Sequence, residues 1–148
     1  MIIMTKDEHM EKSNSTMAQQ IAEASSTFEE LRTGHGPKSV TVVLSEETLV
    51  ITLHGALTRA ENALAKTPEG ASQVQNFHRQ LFADSAGTMR REIKRITGVD
   101  VREATAEVET ETGSVVHVFT TGTMVQVFLL ARGIPANTWS GDGTVDQL

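Results

Sequence analysis

The turn Thr33-Gly34-His35-Gly36-Pro37-Lys38 places an imidazole and an ammonium on a glycine-rich stretch. Glycines allow positive φ and let backbone amides converge, so a turn of this kind can cradle an anion. A second glycine-bearing junction, His54-Gly55-Ala56-Leu57-Thr58-Arg59, follows downstream and brings a guanidinium. Further along, Arg90, Arg91, Lys94 and Arg95 fall at helical spacing and form a broad positive face. Gly34, His35, Gly36, Lys38, Arg59, Arg91 and Arg95 are therefore the candidate contacts for a small anion such as bicarbonate or phosphate. Two features oppose that chemistry. Pro37 removes one N–H donor from the turn, and the spacing of a phosphate-binding loop is missing. The plainer reading makes Gly34 a helix C-cap, Pro37 a rigid entry into a strand, and the arginines a complement to a helix C-terminus.

Other reactive groups are scattered. The 5 histidines, His9, His35, His54, His78 and His117, occur in no HxH or HExxH arrangement, so no metal site is expected. Glu61 follows Thr58 by three positions, the spacing of a capping box. A general base built from Glu61 and His35 would be the sole basis for a hydrolase or transferase. Neither a Gly-x-Ser-x-Gly elbow nor a paired-carboxylate motif is present. No catalytic residue and no cofactor are assigned, and a non-enzymatic role is favoured.

The elements that position these groups follow from periodicity. Residues 1–15 are polar and read as a flexible arm ending in a helix N-cap at Ser13, Asn14 or Ser15. Met17, Ile21, Ala24, Phe28 and Leu31 mark one face of a helix that Gly34 stops. The pattern then alternates over residues 39–54, with Ser45-Glu46-Glu47-Thr48 as the loop of a hairpin. Thr58 opens a short helix, and Pro68 opens a long one whose inner stripe is Val74, Phe77, Leu81, Met89, Ile93 and Ile96. Gly87 within it implies close packing or a bend. Gly98 closes it, and a second hairpin is expected at about 100–109 and 114–121, with a turn at Thr110–Gly113 and a β-bulge near Arg102-Glu103.

That order predicts an α+β two-layer domain. An antiparallel sheet of about four strands, two hairpins, would carry helices on one face. The domain spans 16–135, and 136–148 reads as a loose tail. Met124 to Leu130 is apolar apart from Gln126 and must be buried, either against the sheet or against a second subunit through Val127, Phe128, Leu129 and Leu130.

In the bulk, 148 residues make one domain. A net charge of −6 argues against nucleic acid as partner. With 0 cysteines there is neither disulfide nor thiol nucleophile, consistent with a reducing compartment. No apolar run is long enough to span a bilayer, and the first residues lack the pattern of a signal peptide, so a cytoplasmic location is expected.

Gly34-His35-Gly36-Pro37-Lys38-Ser39-Val40, Leu57 to Leu64, Ile96-Thr97-Gly98-Val99 and Thr110-Glu111-Thr112-Gly113 with Val118-Phe119 together resemble the MpsC-like family. That family is named for a sodium-translocating, membrane-potential-generating system. The resemblance covers residues 17 to 121 and implies a bacterial accessory domain, peripheral to a membrane complex for cation and bicarbonate transport. It implies contact with a membrane transport protein or regulator, and assembly as a homodimer is expected. It brings no catalytic mechanism.

Overall fold

The computed structural model describes residues 15–109, 123–139 and 143–146. In chain order the elements are α1 (Met17–Thr33), β1 (Ser39–Ser45), β2 (Thr48–His54), α2 (Arg59–Leu64), α3 (Pro68–Thr97), β3 (Val101–Glu109), β4 (Thr123–Leu130), α4 (Ala136–Trp139) and β5 (Gly143–Asp146). The fold is α+β, an antiparallel sheet in the order β3-β4-β2-β1-β5 with helices on one face.

The hairpin at 39–54 forms in the expected register, Val42 opposite Ile51 and Ser45 opposite Thr48. A register shift between Val101 and Glu103 supplies the bulge. The second hairpin differs from expectation. β3 takes residues 123–130 as its partner, and the expected turn at 110–113 and strand at 114–121 lie outside the described residues. β4 thereby inserts between β3 and β2, so the apolar segment becomes an inner strand. The expected loose tail also contributes structure: Trp139 is buried, and β5 pairs with β1 as a fifth strand. The N-terminal arm lies outside the described residues up to position 14. The N-cap of α1 is Thr16, not the expected Ser13, Asn14 or Ser15. Its hydroxyl accepts from the Gln19 N–H, while Gln19 returns a bond to the Thr16 N–H.

α1 packs on β1 and β5, and α3 on β3. Beneath them lie Val40, Val42, Leu49, Ile51, Leu53, Met124, Phe128 and Leu130, met from above by Ile21, Val74, Phe82, Met89 and Ile93. Most of each expected stripe packs on the core, Ile21, Val74, Met89 and Ile93 fully and Met17, Ala24, Phe28 and Ile96 in part, but each helix also turns one expected residue outward. α1 turns Ala18, Ile21, Ala22, Ser25, Ser26 and Glu29 inward and leaves Leu31 75% exposed. α3 buries His78 and Phe82 and leaves Phe77 51% exposed. Glu29 and His78 are buried between the helices, with Glu29 Oε2 3.9 Å from His78 Nδ1. Gly87 is exposed, and a methyl there would touch the Arg91 guanidinium at 3.5 Å, so the expected close packing is not at this position.

Close packing occurs instead at Gly70. A Cβ there would sit 1.7 Å from the Leu64 carbonyl oxygen. Only a glycine lets the end of α2 abut the first turn of α3, whose N-cap Thr67 accepts from the Gly70 N–H.

Candidate functional site

The two glycine-bearing junctions do meet. The His35 ring Nε2 lies 3.1 Å from the Gly55 carbonyl, and the Lys38 N–H donates to the His54 carbonyl at 2.7 Å. Gly55 has φ 64, and a Cβ there would stand 2.9 Å from Lys38 Cγ, so the lysine stem packs flat across the turn. Three backbone donors of the turn are already engaged. Gly34 N–H bonds to Glu30 O, His35 N–H to Thr33 Oγ1, and Lys38 N–H to His54 O. The Glu30 carboxylate also stands 3.3 Å from where a Gly36 Cβ would be, which disfavours a second negative charge.

The remaining candidates are dispersed. Arg59 is exposed at the start of α2. Arg91 bonds to Thr88 of its own helix, and Arg95 is paired with Glu92. Arg95 lines a groove with Gln20, Glu23, Thr27 and Phe28 near the start of α1, away from the His35 turn at its end. Its guanidinium holds the Glu92 carboxyl below the usual carboxylate range. Of the proposed interface residues, Phe128 and Leu130 are fully buried under the helices and cannot meet a second subunit, whereas Val127 and Leu129 point the other way. His54 contacts Thr41 Oγ1 at 3.3 Å, while His9 and His117 lie outside the described residues. Among the described residues no group of three or more acidic, histidine or cysteine side chains could hold a metal.

The structure assembles a different cluster. His78, 2% exposed, sits on α3 between carboxylates from two other helices. Its Nε2 lies 2.6 Å from Glu61 Oε2, and its Nδ1 lies 3.9 Å from Glu29 Oε2. Glu29 is 1% exposed and takes a 2.8 Å ion pair from Arg32 through Oε1, but Oε2 has no hydrogen-bond partner. Arg32 also donates to Ser85 Oγ at 2.8 Å. Burial, the largest influence on Glu61, pushes its pKa up. The Thr58 N–H and the His78 ring outweigh it and hold the carboxyl below its ordinary value.

The sheet adds a second unpaired group. Gln126, 1% exposed, faces the helices from β4, with neither its oxygen nor its nitrogen bonded. It stands opposite Ala106 of β3 and Ile51 of β2.

Sequence reasoning found Glu61 as a cap and missed its partner. The Glu29–Arg32 spacing and the small residues Ser25, Ser26 and Ser85 were the available signals. They mark polar faces that a buried network can use, but not which imidazole it closes on.

Structurally, this is a small two-layer α+β domain with a polar network closed inside its helical layer. The chain belongs to the family described as the Na+-translocating membrane potential-generating system (MpsC), which matches residues 13–123. It is similar to the uncharacterized protein YbcI of Bacillus subtilis (strain 168), 26% identical over 110 residues, covering 74% of this chain and 89% of that relative. No solved structure matches it. Among the described residues no helix is long and apolar enough to cross a membrane.

Proposed function

We propose that the protein is a non-enzymatic accessory domain of a sodium-linked, membrane-potential-generating system, working as a homodimer joined through the open face of its sheet. Family membership supports the link to the membrane system. The observation that carries the binding role is the sheet face whose centre no described residue covers. The register aligns Val43, Val50, Val127 and Thr105 in one row across four strands, and Val43 is 40% exposed. The next row is Ser45, Thr48, Leu129 and Glu103. The centre of the face carries no charge. Beside it, a surface hollow of about 450 Å³ is lined by Val127, Leu129, Thr105, Glu103 and Arg90.

A second copy suits this pattern. A two-fold axis parallel to the strands and passing between β2 and β4 sets Val50 of one protomer against Val127 of the other. It brings Val43 toward the Thr105 end of the hollow and places Glu103 opposite Ser45. Apolar rows meet, and the Glu103 carboxylates do not face each other.

Light scattering at tens of micromolar should give twice the chain mass, and Val127→Lys should give the monomer while remaining folded. A wild-type monomer removes the dimer. For the membrane link, tagged protein expressed in its native host should retain an integral cation-transport subunit in detergent extracts. Recovery without any such subunit overturns that part.

A further inference from the structure

Short helices stay in place by packing, yet α2 buries none of its six residues. It is pinned at its flanks, where Leu57 and Ala65 are 4% and 8% exposed. Its end abuts the first turn of α3 at Gly70, and two side-chain features hold the rest. One is its own capping box, Thr58 with Glu61, which is local and travels with the helix. The other is the 2.6 Å bond from Glu61 Oε2 to His78 Nε2, which ties α2 to α3.

We propose that Glu61 and His78 form a protonation-controlled latch: closed, it holds residues 58–64 against the helical layer; open, it lets the segment swing between Leu57 and Ala65 and uncovers the His78 ring. The charged groups around the latch favour this reading. α1 contributes Glu29 and Arg32, α2 contributes Glu61, and α3 contributes His78 with the neutral Ser85 beside it. The His78 ring is 2% exposed and meets a carboxylate at each nitrogen, Glu61 Oε2 at 2.6 Å and Glu29 Oε2 at 3.9 Å, while Arg32 pairs with the other Glu29 oxygen. A proton taken up by Glu61 removes the charge that strengthens its contact with the ring.

The sign of the pH dependence follows. Glu61 has a folded-state pKa below its ordinary value, so the closed latch is fully stabilised above the ordinary carboxylate range and loses this as pH falls through the lowered value. The latch is tightest while Glu61 is ionised.

Hydrogen exchange of the intact protein, corrected for intrinsic rates, tests this through the amides of 58–66 against those of α3. Glu61→Gln is the informative variant, because glutamine serves the same capping position at Thr16–Gln19 and so preserves the box. At neutral pH it should speed exchange in 58–66 about tenfold, the equivalent of about 1.4 kcal/mol for a lost charge-assisted bond, and leave the core of α3 unchanged. Wild type should show a rise in α2 exchange on acidification, and Glu61→Gln should abolish it. His78→Gln should reproduce the acceleration. If Glu61→Gln matches wild type in 58–66 across the pH series, capping alone holds α2 and the latch is wrong.

Discussion

Along β4, Phe128 and Leu130 are completely buried under the helices, while Val127 and Leu129, one residue away, stay half-covered on the opposite face. Both pairs are apolar and share one strand, so composition cannot account for the difference. It comes from the layer above. α1 and α3 cover one side of the sheet, and nothing among the described residues covers the centre of the other. Hydrophobicity along a strand therefore reports what can be buried, and the architecture decides what is.

Substitutions on the two faces should separate sharply. Phe128→Ala removes a ring that packs edge-on against Phe82 at 5.8 Å. It should cost about 3–5 kcal/mol in urea unfolding, with the solution mass unchanged. Gly70→Ala comes next and probes the helical side where backbones touch. The added methyl meets the Leu64 carbonyl, so α2 and the start of α3 must part, lowering stability by about 1–3 kcal/mol and deprotecting amides near 64–70. On the open face the effect should nearly vanish. Val127→Thr should shift the unfolding free energy of the protomer by about 0.5 kcal/mol or less, measured at concentrations too low for association. A cost there near that of Phe128→Ala would show that the open face is covered within the protomer.

Much of the framework was legible because it rests on local rules. Alternation fixed the 39–54 hairpin, Gly34 and Gly98 cap their helices as left-handed residues, Thr58 and Glu61 form the box, and Pro68 opens α3. Helix phase was legible only in part. Leu31 and Phe77 look like core residues, and Glu29 and His78 look like surface, yet the exposures are the reverse. Polar side chains that meet only after the helices pack lie outside any window of one helix. The C-terminal strand was missed for a related reason. Gly143 to Asp146 has too short an alternation to stand apart from a loop, and it becomes a strand by pairing with the free edge of β1. The candidate anion contacts are spread over separate elements, and the amide of Gly34 is spent on its helix cap.

The position of β4 also sets a timetable. β2 must bond to a strand roughly half the chain away, since Thr48 pairs with Leu129 and Leu53 with Met124. Until residues 123–130 arrive, the hairpin presents β2 as a bare, Val- and Leu-rich edge that any other extended chain can extend. Contacts this distant close slowly, because the loop entropy must be overcome before the pairing repays it. On a translating ribosome residues 39–54 emerge roughly half the chain ahead of their partner strand. Through that interval the edge of β2 is open to a neighbouring nascent copy.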